Sequence, residues 1–160
     1  MTISGTYKLS SYFANIMPKI ENLTIIDNIV DDFCRNNPYL KKLTLINVRH
    51  FGRWSFYNNS SLSKVIFENV ELIGDWAFAH CDKITEVVLP DSVNFIGMNA
   101  FRYCHNLSSI TIQARQLILF GTNAFYSTAE NKQFYMRKSV IIQAKTAPIW
   151  REYSNMIIGI

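Results

Sequence analysis

The chain repeats itself, and the repeat constrains its fold more than any other feature. An apolar triplet at relative positions 1, 4 and 6 recurs as Ile20-Leu23-Ile25, Leu40-Leu43-Leu45, Leu62-Val65-Phe67, Ile84-Val87-Leu89 and Leu107-Ile110-Ile112. An apolar-glycine pair follows as Phe51-Gly52, Ile73-Gly74, Ile96-Gly97 and Phe120-Gly121. A phenylalanine closes each unit at Phe33, Phe56, Phe78, Phe101 and Phe125, with spacings of 23, 22, 23 and 24 residues. A unit this short cannot bury its own apolar face, so it needs a copy above and a copy below to build a continuous core.

Each landmark has a physical task. The last two members of every triplet lie two residues apart, which puts both on one side of a strand. The glycine permits positive φ or close backbone approach where the coil turns. The phenylalanine fills the space under the opposite wall. Three residues beyond it come Asn36, Asn59, Cys81 and Cys104, small side chains that can hydrogen-bond to the turn of the adjacent coil. The expected fold is therefore a repeat solenoid: a parallel sheet on one face, turns and short helical loops on the other, and a cap at each end. With 49% apolar and 18% charged residues, disorder is excluded. Three cysteines are an odd number and read as free buried thiols rather than a disulfide framework.

The stretch from Ile73 to Phe101 carries the pattern Ile-Gly-x-x-Ala-Phe-x-x-Cys, then Ile-x-x-Val-x-Leu-Pro-x-Ser-Val. It resembles the BspA-like leucine-rich repeat family, and the resemblance covers roughly residues 20 to 127. The first unit departs from it, lacking the glycine and placing Cys34 one residue after the phenylalanine. Family members are mostly surface and secreted proteins of bacteria and protozoa, with relatives in phages. The resemblance implies adhesion or binding without catalysis.

The chain reads as one domain over 1–160, with an N-terminal cap at 1–19, five repeats at 20–127, and a last strand and helical cap at 128–160. Tyr7, Leu9, Tyr12 and Phe13 supply the apolar side of the first cap. Val140-Ile141-Ile142 reads as one more strand. Residues 148–157 read as a short helix with Pro148 in its first turn and Trp150, Tyr153 and Ile157 on one face. No apolar run approaches the roughly 20 residues of a membrane-spanning helix. Met1 to Phe13 has no basic segment followed by an apolar one, so no secretory leader is expected. Synthesis in the cytoplasm is expected, with a cell surface or a virus particle as a final location.

No catalytic constellation is legible, and no enzyme activity or cofactor is expected. His50, His80 and His105 fall at different repeat offsets without a nucleophile beside them, and the adjacent Asp31 and Asp32 would point opposite ways in a strand or be solvated in a turn. His80-Cys81 and Cys104-His105 lack the repeated close pair of a metal site. The net charge of +4 is uneven, since residues from Ala100 onward carry seven basic groups against Glu130 and Glu152. Basic and aromatic residues are not expected to share a face, so nucleic acid is not an expected partner.

The outward strand positions are more informative. They form three columns: Asn22, Lys42, Lys64, Glu86, Ser109; Thr24, Thr44, Ile66, Val88, Thr111; and Ile26, Ile46, Glu68, Pro90, Gln113. Ile46, Ile66 and Val88 make the centre of this face apolar, with Lys42, Lys64, Glu68 and Glu86 as a charged rim. That composition fits a protein-binding patch; sheet propensity alone also accounts for β-branched residues there. Trp54 and Trp76 form a second candidate surface on the outer wall, either for a partner or as a shield. The expected function is a protein-interaction or adhesion module. The competing expectation is a structural subunit of a larger assembly, such as a viral particle or surface layer, joined through copies of itself.

Overall fold

The computed structural model describes residues 1–4, 19–26 and 32–160. Its strands are β1 (Thr2–Ser4), β2 (Asn22–Ile26), β3 (Lys42–Ile46), β4 (His50–Phe51), β5 (Lys64–Glu68), β6 (Leu72–Ile73), β7 (Glu86–Leu89), β8 (Phe95–Ile96), β9 (Ser109–Ile112), β10 (Leu119–Phe120), β11 (Gln133–Met136) and β12 (Ile157–Gly159). All pairing is parallel, in four-stranded ladders of order β1-β2-β3-β5, β7-β9-β11-β12 and β4-β6-β8-β10. The first two make the wall built by the apolar triplets. The third makes a second wall from the residues at the apolar-glycine pairs.

The register matches the triplets. Leu43 lies between Leu23 and Val65, and Leu45 between Ile25 and Phe67. These side chains point inward and are buried, while Lys42, Thr44 and Ile46 face out. Between the walls, Phe56, Phe78, Phe101 and Phe125 stack nearly parallel, with centroids 5.4, 5.4 and 5.5 Å apart. Each is fully buried. Phe33 is buried too, but the backbone pairing moves it out of this column. The N–H of Cys34 bonds to the Ser55 carbonyl, as Phe56 bonds to Ala77, so Cys34 holds the phenylalanine register.

The same one-residue shift corrects the hydrogen-bonding ladder, which begins at Asn37 rather than Asn36. The Asn37 N–H donates to Asn59 Oδ1 at 2.9 Å, and Asn59 Nδ2 donates to the Cys34 carbonyl at 2.8 Å. Cys81 Sγ then donates to the Phe56 carbonyl and Cys104 Sγ to the Phe78 carbonyl, at 3.3 and 3.1 Å. Amide and thiol alternate because each delivers one donor to the same carbonyl of the preceding coil. The thiols are free and buried.

The glycines serve close approach. A Cβ on Gly74 would lie 2.5 Å from the Gly52 backbone, and one on Gly97 would lie 2.5 Å from the Asp75 nitrogen. Positive φ belongs instead to turn residues further on. Asp32, Trp54, Trp76, Asn99 and Asn123 form one left-handed column, and Asn36, Asn58, His80, Tyr103 and Ser127 a second.

The ends depart from expectation. Val140-Ile141-Ile142 belongs to a helix, α1 (Lys138–Thr146), which buries Val140 and Ala144 and leaves Ile142 78% exposed. The strand is Gln133–Met136, whose Phe134 and Met136 pair with Ile110 and Ile112. A 3-10 helix follows over Pro148–Met156, and Ile157 opens β12 rather than ending that helix. Trp150 and Tyr153 close the core, with the Trp150 ring 4.8 Å from Phe120 and its Nε1 donating to the Ile118 carbonyl at 3.1 Å. At the other end Thr2–Ser4 adds a strand to β2. Tyr7, Leu9, Tyr12 and Phe13 lie outside the described residues, as does Asp31.

The triplet wall is not one continuous sheet. No ladder joins β5 to β7. One donor is missing beside the gap. At the next step the Gln113 N–H donates to the Leu89 carbonyl at 3.0 Å. The corresponding donor one coil earlier would be the nitrogen of Pro90, and proline has no N–H.

Candidate functional site

Within each ladder the outward positions line up as expected, but no pairing carries the columns across from β5 to β7. Lys42 lies beside Lys64, Thr44 beside Ile66, and Ile46 beside Glu68. Glu86 lies beside Ser109 and Val88 beside Thr111. Beyond the expected columns, Tyr135 and Ile158 continue the middle one. Ile46 and Ile66 are therefore diagonal neighbours and half-buried, whereas Val88 is 45% exposed. Lys42, Lys64, Glu68 and Glu86 are exposed, and none forms an ion pair with another described residue.

The break in the sheet falls in the middle of this patch. Between β5 and β7 a cleft of about 280 Å³ is lined by Lys64, Ile66, Glu86, Val88, Pro90 and Gln113 on the outside. Val65 and Phe67 line its floor, and they are 9% and 7% exposed where Leu43 and Leu45 are fully covered. The patch is thus concave, with charge on both lips and the core at its base. Sequence reasoning found the residues but not the cleft. The available signal was Pro90 at a position that must donate.

Trp54 and Trp76 are not directly stacked. Tyr57 stands between them, with centroids 6.2 Å from Trp54 and 6.4 Å from Trp76. With Arg35 and Asn36 the three rings line a second pocket of about 330 Å³. The Arg35 and Arg53 guanidiniums each lie 5.8 Å from the Trp54 ring. Arg102 lies 5.6, 4.7 and 5.0 Å from Trp76, Tyr103 and Tyr126. The expectation that basic and aromatic side chains occupy separate faces is overturned. Residues just after the phenylalanine in one coil meet those just before it in the coil below, a neighbour relation that linear spacing hides.

The groups with reactive side chains are otherwise occupied. Burial pushes the Cys34 thiol up to about 11 and the Cys104 thiol up to about 12, and raises Cys81 well above the ordinary range. His105 Nδ1 pairs with Asp82 Oδ1 at 2.6 Å on an exposed turn. Among the described residues no group of three or more His, Cys, Asp or Glu side chains is placed to hold a metal ion. No described helix is long and apolar enough to cross a membrane.

Comparison with known proteins agrees with this architecture. A leucine-rich repeat protein from Bacteroides ovatus ATCC 8483 is similar over 97% of this chain and 42% of its own, with 22% identity and a TM-score of 0.60. A leucine rich cell surface protein from Faecalibacterium prausnitzii A2-165 is similar over 82% of this chain and 31% of its own, with 18% identity and a TM-score of 0.53. The chain thus spans less than half the length of either, and the likeness is one of fold. No curated protein matches it. The family model for the BspA type leucine rich repeat region matches residues 27–147 in six copies. The parallel coils, the stacked phenylalanines and this match agree: the chain belongs to the BspA-type leucine-rich repeat family.

Proposed function

We propose that the chain is a non-catalytic interaction or adhesion module that binds a protein partner through its triplet wall. One observation carries this reading: the apolar centre of that wall is split open at Pro90 into a cleft with Ile66 and Val88 on its lips and unpaired charges around it. A solvated strand face normally carries polar side chains. An apolar side chain of the partner would fill the cleft, while Lys64 and Glu86 on the lips and Lys42 and Glu68 beside them would meet complementary charge. Central apolar contacts hold most of the affinity in such interfaces, and rim charges mainly tune association rate and salt dependence.

The test is capture of a binding partner from host extract, with identification of the bound protein, beside circular dichroism of each variant. Ile66→Asp is expected to fold and to lose binding by tenfold or more. Lys64→Ala is expected to change it far less. A folded Ile66→Asp that binds as wild type would refute the assignment. If the captured species is the chain itself, the face joins copies into an assembly, and the structural-subunit reading replaces the adhesion reading.

A further inference from the structure

The outer turn wall holds side chains in a backbone state they do not favour. Trp54, Trp76 and Tyr103 have φ of 57, 59 and 60°. The left-handed region is strained for bulky side chains, and asparagine tolerates it best after glycine. The chain itself uses asparagine at the equivalent turns, as Asn36, Asn58, Asn99 and Asn123. Tryptophan and tyrosine stand at these turns only in a contiguous patch of central coils, against local conformational preference. Strain of this kind is concentrated at ligand sites. The rings do little for the core, since Trp54 is 39% exposed.

The geometry points to a second binding site, for an acidic sugar unit of a polysaccharide, in the pocket of Arg35, Asn36, Trp54, Tyr57 and Trp76. The three rings are inclined to one another, by 40° between Trp54 and Tyr57 and 63° between Tyr57 and Trp76. They form a concave cage rather than a flat stacking platform. A pyranose presents C–H groups in several directions and suits inclined walls; a nucleobase needs a parallel face. The cage is edged by an amide pair, Asn58 Nδ2 donating to Asn36 Oδ1 at 2.8 Å, which leaves one amide acceptor and further N–H donors for hydroxyl groups.

The charge selects an anion. The Arg35 Nε lies 3.2 Å from Asp32 Oδ1 as an ion pair, and its terminal nitrogens, which pair with no described residue, can fork onto a carboxylate or sulfate. Arg53, on the same ring, makes no ion pair with a described residue and adds a second guanidinium. Of the nearby acids, Asp75 Oδ1 accepts from the Met98 N–H at 2.8 Å, and Asp32 sits at the Nε edge of Arg35, leaving the terminal edge of the guanidinium to the ligand. The basic track is also short. Arg102 is engaged by Asn99 and Tyr103, and Arg115 lies on the opposite turn beside Asp91, so no phosphate path continues along the stack.

The experiment is isothermal titration calorimetry of the intact chain with an oligogalacturonate, a neutral maltooligosaccharide and an oligothymidylate. The oligogalacturonate is expected to bind, and the other two much more weakly. Trp54→Asn and Trp76→Asn graft the residue that Asn99 and Asn123 already supply at this turn, so both should fold; each is expected to weaken binding about tenfold or more. Arg35→Gln is expected to erase the preference over the neutral sugar. Absence of oligogalacturonate binding, equal binding of the neutral sugar, tighter binding of the oligothymidylate, or folded tryptophan variants that bind as wild type would each overturn the assignment. Ile66→Asp should bind the sugar normally, which separates this site from the protein-binding cleft.

Discussion

Phe78 is the residue whose removal tests the coil stacking most directly. It is fully buried, sandwiched between Phe56 and Phe101 at 5.4 Å on either side. Its edges meet Phe51 at 5.4 Å and Phe67 at 5.7 Å, so it touches both walls and the coils above and below. Phe78→Ala deletes a whole ring in a position where neither neighbouring ring can collapse without breaking its own stack. Large aromatic deletions in cores cost about 3–5 kcal/mol, and the upper half of that range, about 4–5 kcal/mol, applies to a site so boxed in. Set against a typical total of about 5–15 kcal/mol, this is a large fraction of the stability. With a urea slope of about 2 kcal/mol/M, the unfolding midpoint is expected to fall by about 2 M. Phe78→Leu keeps most of the volume and is expected to lose less than half as much. Urea titrations followed by circular dichroism measure both. A loss under about 1 kcal/mol for Phe78→Ala would mean that the ring stack does not hold the coils together.

The three thiols are expected to resist a thiol-reactive dye at pH 8 in the folded state and to react together on unfolding. Their raised pKa values also set a pH dependence. From the ordinary value of 9.0 upward the unfolded chain releases thiol protons that the folded chain keeps until about 11 at Cys34 and about 12 at Cys104. The folded state then binds more protons, so stability is full below pH 9.0 and falls as the pH rises beyond it. Burial raises Tyr153 as well and adds to the loss at the alkaline end; a denaturation midpoint that does not move between pH 8 and pH 11 would refute this. Asn59→Ala removes the donor to the Cys34 and Phe56 carbonyls and the acceptor for Asn37, at a cost of about 3 kcal/mol. Asn59→Cys, the residue used at this position in the next two coils, is expected to lose about half as much, as thermal melts of both variants will show. Gly97→Ala pushes a methyl group to 2.5 Å from the Asp75 nitrogen, and a destabilisation of about 2 kcal/mol or more is expected in the same assay.

The parts of the fold written in periodic positions were legible, because every coil imposes the same environment on the same offset. That is why the triplets, the glycine pairs and the phenylalanine column could be read in order. Failures came where a residue's meaning depends on the neighbouring coil. Cys34 and Phe33 exchange roles through one backbone register, which only the pairing to Ser55 reveals. Val140-Ile141-Ile142 has the composition of a strand, yet Phe134 and Met136 claim the sheet and leave it to pack as a helix. In the candidate site, Ile46, Ile66 and Val88 followed from alternation alone. The cleft did not, since the donor missing at Pro90 in one coil is felt only in the coil before it. Arg102 reaches Trp76 only because adjacent coils bring their turns together.

The missing ladder at Pro90 also has a mechanical side. At this step the triplet wall is divided, while the second wall runs unbroken from β6 to β8 and the phenylalanine stack continues from Phe78 to Phe101. A solenoid with one wall cut and the other intact has a preferred axis of flexure. The coils on either side of this step can tilt about the β6–β8 seam, because fewer backbone bonds resist the motion than at the next step, where both walls pair. A side chain wedged into the cleft would therefore set the angle between the coils on either side of it.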